Sequence, residues 1–187
     1  MRVEIERRFL VVSDAWRGDV VSLHHLRDGL LDQSDRGKTR VRIDGDRAWL
    51  TIKGQRSGIS RREYEYEIPL GDAEELLRDV CSDCVIEKTR SLVRANDTLW
   101  TVDAFQGRLA GIVWAEIELA DENQTFERPA WIGAEVTADP RFRQSNLLAL
   151  GSTGEHPITM AGILASGDEN EVSIERRPVP ATALHAG

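Results

Sequence analysis

Apolar and polar residues alternate with a period of two through most of the first 119 residues, in short runs separated by turn-forming residues. "VEIERRFLV" at residues 3–11 is the first such run, and "VVSLHHLRDGLL" predicts a second strand with a turn or bulge at Asp28-Gly29. "KTRVRIDGDRAWLTIKG" predicts a hairpin turning at Asp44-Gly45-Asp46, and "SRREYEYEIPL" a strand stopped by Pro69. From Gly71 to Val80 the period changes: Ala73, Leu76, Leu77 and Val80 share one face of a helix. A second hairpin follows, "VIEKTRSLVRAN" and "TLWTVDAF", turning at Asn96-Asp97, and "AGIVWAEIEL" is the last clear strand. "RPAWIGAEVTADPRFRQSNLLAL" predicts short helices broken by Pro140, with Asp139 as the cap. The segment from Ser166 onward is polar and Pro-containing and predicts a flexible tail.

The polar faces of these strands are unusual. In an extended chain, residues of one parity point to one side. Glu4, Glu6 and Arg8 share a face; so do Lys38, Arg40 and Arg42, and so do Trp49, Thr51 and Lys53. Glu63, Glu65 and Glu67 align, as do Lys88 and Arg90, and Glu116 and Glu118. One strand carries only acids and another only bases, whereas a solvated face more commonly mixes the signs. Two architectures accommodate this. An open sheet shows its charges to water, or a closed sheet turns them into a wet interior and covers its apolar exterior with helices and loops. Clustered carboxylates facing one cavity suit a hard divalent cation, with Mg²⁺–oxygen distances of about 2.0–2.1 Å. Clustered Arg and Lys suit phosphate oxygens. A closed interior of this kind describes a site for a metal–polyphosphate.

Composition narrows the classes. With 187 residues and 41% hydrophobic residues, the chain supports one domain with a real core. Its net charge of −8 argues against a general nucleic-acid binder. Nothing in it has the form of a signal peptide or membrane span. Cys81 and Cys84, after a helix and with no further Cys pair or His-rich partner, read as two ordinary thiols and not as a zinc or redox site. A cytoplasmic location is the expectation.

The opening stretch resembles the E-x-E-x-K signature of the CYTH family, the triphosphate tunnel metalloenzymes. "TRVRI…AWLTIKG", "REYEYEIP", "VIEKTRSLV", "WTVDAFQGRLAGIVWAEIEL" and "WIGAEVTADPRFRQSNL" resemble the family's later blocks, in order, over roughly residues 1–150. The resemblance implies a mostly β, α+β fold: a closed eight-stranded antiparallel β-barrel tunnel with flanking helices, spanning residues 1–165 and followed by the tail at 166–187. It implies Mg²⁺ or Mn²⁺ as cofactor and a triphosphate or polyphosphate as partner, in a monomer or homodimer. It also implies roles. Glu4, Glu6, Asp103, Glu116 and Glu118 would hold metal, with Glu4, Glu6 and Arg8 catalytic. Arg8, Arg40, Arg42, Lys53, Lys88, Arg90 and Arg141 would bind phosphate, and Glu63 and Glu65 would support them.

Two positions depart from the pattern. The signature Lys is Arg8, which keeps the charge but cannot give up a proton. The Tyr with which that Lys is paired in the family corresponds to Leu30. Hydrolysis of inorganic tripolyphosphate is the function expected from the resemblance. The alternatives are a non-catalytic polyphosphate-binding module, a nucleotide or thiamine triphosphatase, and an enzyme like the class IV adenylate cyclases.

Overall fold

The computed structural model describes residues 3–81, 85–144, 146–147 and 158–165. The alternating runs become nine strands: β1 (Val3–Val11), β2 (Val20–Ser34), β3 (Gly37–Asp44), β4 (Arg47–Gly54), β5 (Ser60–Ile68), β6 (Val85–Ala95), β7 (Thr98–Phe105), β8 (Val113–Glu118) and β9 (Ile132–Glu135). Helices α1 (Leu70–Asp79) and α2 (Met160–Ala165) accompany them among the described residues. All strand pairings are antiparallel, in the order β5-β4-β3-β2-β6-β7-β8-β1-β9. The first residues of β1 also pair with β5, Glu4 opposite Arg61, and this closes eight strands into a barrel. Closure leaves those strands with neighbours on both sides.

Both hairpin turns fall where the sequence places them, with Gly45 at φ 61 and Asn96 at φ 52. Asp139 accepts a hydrogen bond from the Arg141 amide at 3.0 Å and so caps the short 3-10 turn begun by Pro140. Two elements differ. Residues 132–135 form β9 and not a helix, because the second half of β1, from Phe9 to Val11, offers an edge once β5 has diverged. Asp28-Gly29 is no turn; β2 runs through it, and its register shifts between Leu30 and Asp32 against β3 and between Val20 and Ser22 against β6. Gly29 is there for space. A Cβ at this position would lie 2.4 Å from Leu77 Cδ2 and 2.9 Å from Cys81 Sγ, so the missing side chain lets α1 lie against the sheet. Cys84 and the tail from Ser166 lie outside the described residues; Cys81 is buried beside α1.

The outward faces are apolar and covered over much of the barrel, while Leu23 of β2, Ile52 of β4 and Tyr64 and Tyr66 of β5 stay exposed. Phe9, Val93, Trp100, Val102, Ala115 and Ile117 pack with Trp16, Phe126 and Trp131 from the loops, and Trp100 meets Phe9, Phe126 and Trp131 edge-on at 5.7–5.8 Å. On the other side α1 lays Ala73 and Leu77 over Val41, Ile43 and Ala48. A third cluster lies at one end of the barrel. Leu10, Leu30, Ile86, Phe105 and Trp114 share strand parity with the charged interior residues, and Phe142, Leu147 and Ile163 close over them. The interior is therefore charged along its length and apolar at one end. No helix of the described residues is long and apolar enough to cross a membrane.

Candidate active site

The inward parity of the strands brings Glu4, Glu6, Arg8, Arg40, Arg42, Lys53, Glu63, Glu65, Lys88, Arg90, Glu116 and Glu118 to one cavity of about 710 Å³. Two candidates stand apart. Asp103 is fully buried behind the cavity wall, receiving Lys88 at 2.7 Å and Arg90 at 2.6 and 2.7 Å, and so serves to anchor those two cations. Arg141 does not line the cavity: its guanidinium is bound to Asp139 and to the Leu164 carbonyl, outside the barrel. Arg143, two residues on, lines it instead.

Most of the charges are joined in one lattice. Arg42 grips Asp28 through two bonds of 2.7 and 3.0 Å, and Lys88 reaches Asp28 at 3.4 Å. Arg90 links Asp103 to Glu116, 3.0 Å away, and Arg8 Nε donates to the other Glu116 oxygen at 2.8 Å. Arg8 also donates to the Phe142 carbonyl and lies 4.4 Å above the Trp114 ring. Across the cavity Glu4 accepts from Lys53 at 2.7 Å and from Arg61 at 2.6 Å. Glu6 is bound by Arg61 at 3.1 Å and by Arg56. Lys53 also meets Glu63 at 3.0 Å, and Thr51 donates to Glu65 at 2.9 Å.

Burial alone would raise the pKa of Glu4, Glu6, Asp28, Asp103 and Glu116, and the neighbouring cations outweigh it. Glu116 is held down at about 2, chiefly by Arg8 and Arg90 against burial and the Glu6 charge. Asp28 is held well below the carboxylate range by Arg42, Arg40 and Lys88, despite complete burial. Glu118 is the exception. Among the described residues no cation pairs with it, and desolvation together with Glu4, Glu63 and Glu6 pushes it up.

That exception bears on metal binding. Glu4, Glu6 and Glu118 lie on the adjoining strands β1 and β8, with Glu6 directly opposite Glu118. They offer only oxygen donors in a locally anionic field, which fits a hard divalent cation. In the present arrangement the arginines hold Glu4 and Glu6, and among the described residues no three acids converge as a preformed metal cage. The contacts of Arg56 and Arg61 would have to exchange for metal contacts.

Several residues in or behind the cavity wall lie beyond the sequence-derived set. Arg61 has the parity of Glu63 on β5, and Asp28 that of Leu30 on β2, so strand alternation carries a signal for both. Arg56, Arg143 and Gln144 come from irregular segments without periodicity. Gln144 Nε2 donates to Asp28 at 2.8 Å, which ties the segment after β9 to the basic wall.

The model of the CYTH domain matches residues 2–147. The chain belongs to the CYTH family. An inorganic triphosphatase of Acetivibrio thermocellus is 45% identical over 148 residues, covering 79% of this chain and 94% of that protein. One of Nitrosomonas europaea is 33% identical over 147 residues, covering 77% and 95%. A crystal structure of an inorganic triphosphatase superposes with a TM-score of 0.59 at 32% identity, covering 79% of this chain and 95% of that one. The CYTH match ends at residue 147, the last residue before the undescribed stretch that precedes α2. It takes in all the lining residues of the cavity, Arg143 and Gln144 included.

Proposed function

We propose that this CYTH protein hydrolyses a triphosphate, inorganic tripolyphosphate foremost, with a divalent cation, Mg²⁺ or Mn²⁺. The observation that carries the reading is the charge balance of the cavity. Ten cationic side chains line it against seven carboxylates. The buried Asp28 and Asp103 behind them bring the acids to nine. A tripolyphosphate brings several more negative charges than one net positive charge offsets. A divalent cation entering with it closes that gap, and the acids of β1 and β8 stand ready to hold one. The similarity to the two inorganic triphosphatases supports the same substrate.

Within the cavity Arg40, Arg42, Lys53, Lys88 and Arg90 would bind and orient the phosphate oxygens. Asp28 and Asp103 keep Arg42, Lys88 and Arg90 fixed, so little side-chain motion is needed when the charge arrives. Glu4, Glu6 and Glu118 would hold the metal. When bound, the cation neutralises phosphate charge and lowers the pKa of water. Hydrolysis forms a bond from the water oxygen to the terminal phosphorus and breaks the bridging P–O bond, releasing phosphate and pyrophosphate. Arg8 takes no proton in this, being permanently charged and committed to Glu116 and Phe142.

The missing Lys–Tyr pair favours a second reading, a module that binds polyphosphate without turning it over. Phosphate release from tripolyphosphate, ATP and thiamine triphosphate, each with Mg²⁺ or Mn²⁺, separates the two. Fast release from tripolyphosphate alone is expected. Tight binding with no release would favour the binding module, and preference for ATP or thiamine triphosphate would reassign the substrate.

A further inference from the structure

Lys38 stands directly opposite Lys53 in the β3–β4 register, on the interior face. Like charges in that position repel. Lys53 is compensated by Glu4 at 2.7 Å and Glu63 at 3.0 Å. For Lys38, no carboxylate of the described residues comes within ion-pair distance. Arg40, next on the same face of β3, is under-neutralised too. Its Nε is buried with no partner, and its carboxylate, Asp28, is 3.7 Å away. Arg8, Arg42, Lys53, Arg61, Lys88 and Arg90 are paired with carboxylates at 2.6–2.8 Å, and Arg56 pairs with Glu6. Arg143, which has no such partner among the described residues, is exposed to solvent, so the deficit away from solvent is local to β3. A half-buried lysine without counter-charge beside a buried arginine that is only loosely neutralised costs folding stability, and a ligand that brings the missing negative charge offsets that cost.

We infer that Lys38 is a further substrate-binding residue, forming with Arg40 a subsite on β3 that receives a phosphate group of the chain anion. This rests on the triphosphate reading of the cavity. It has a consequence for protons. Lys38 is faced by Arg61 of β5, Arg40 of β3, Lys53 of β4 and Arg8 of β1, and its neighbour on β2 is the uncharged Gln33. Asp35, in the turn after β2, and Arg143 line the same cavity. Burial and those four cations hold the Lys38 amine well below the ordinary lysine range. A phosphate beside it favours the ammonium form, so binding draws a proton from solvent onto Nζ.

Calorimetric titration of the metal-free protein with tripolyphosphate, in two buffers of different ionisation enthalpy near neutral pH, tests this. Wild type is expected to bind with net proton uptake. Lys38→Met is expected to bind at least about tenfold more weakly, without the uptake, and to melt at a higher temperature than wild type because a repulsion is removed. Lys38→Arg is expected to keep most of the affinity and lose the uptake, because a guanidinium is already charged. Unchanged affinity in Lys38→Met, or proton uptake surviving in Lys38→Arg, would overturn the inference. A wild type that binds through Lys38 but releases no phosphate with Mg²⁺ or Mn²⁺ would sink the triphosphatase reading and leave the subsite standing. A wild type that binds no tripolyphosphate would remove both.

Discussion

Arg8 and Glu116 face each other across β1 and β8, joined by a 2.8 Å bond from Nε, and the same guanidinium reaches the Phe142 carbonyl. Arg8 thus sits where the charged interior gives way to the apolar end, stacked 4.4 Å above Trp114. A lysine cannot serve Glu116, a carbonyl and an indole face together. Arg8→Lys is expected to lower stability by about 1–3 kcal/mol, and Arg8→Ala by about 3–5 kcal/mol, because it strands a buried carboxylate. Denaturant unfolding measures both. Adding Leu30→Tyr would push a hydroxyl toward the apolar cluster around Ile86 and Phe105. The pair is therefore expected to lose stability without gaining turnover; a gain would mean that the family's Lys–Tyr pairing can be rebuilt here.

Glu4→Gln combined with Glu6→Gln keeps the side-chain volumes and removes two of the anionic donors assigned to metal. Hydrolysis is expected to fall by at least about a hundredfold, with Mn²⁺ binding lost in calorimetry. Magnesium-dependent activity persisting in the double variant would place the metal elsewhere.

The pH dependence follows from depressed carboxylates. Glu4, Glu6, Asp28, Asp103 and Glu116 all have folded-state pKa values below their ordinary ones. Each therefore contributes stability that is present above its unfolded pKa and lost as pH falls through the folded value. For Glu116 the window runs from 4.5 down to about 2. The denaturant midpoint is expected to drop through that range in wild type. In Glu116→Gln it should start lower at neutral pH and fall less steeply; parallel curves would show that Glu116 is not depressed.

Strand alternation made most of this site legible. Period-two parity gathered Glu4, Arg42, Lys88 and Glu116 on the charged strand faces, and the closed barrel implied by the family resemblance turned those faces inward, because a closed barrel keeps every residue of one parity inside. It could not say which inward residues meet the substrate and which meet each other. Asp103 shares that parity yet is enclosed by Lys88 and Arg90, which only the registers of β6 and β7 reveal. Arg141 and Arg143 lie on an irregular segment where no period applies, so their order around the cavity was not readable. β9 is four residues long and pairs only with a half-strand of β1. Asp28-Gly29 has turn chemistry, but the glycine answers to α1 and not to a turn.

Gly29→Ala tests that last point. The added methyl would press on Leu77 and Cys81, costing about 1–3 kcal/mol by overpacking. Asp28, the adjacent anchor for Arg42, is expected to shift with the strand, so tripolyphosphate affinity should fall along with the melting temperature. A variant as stable as wild type would show that α1 has room to move away.

A crystal grown with Mn²⁺ and tripolyphosphate tests most directly the central claim, that one barrel interior holds a metal on its acidic wall and a phosphate chain on its basic wall. Anomalous scattering is expected to place Mn²⁺ against Glu4, Glu6 or Glu118, with the phosphates on Arg40, Arg42, Lys88 and Arg90 and with the contacts of Arg56 and Arg61 to the acids opened. An interior empty of both, or a manganese peak confined to the outer surface, would contradict it.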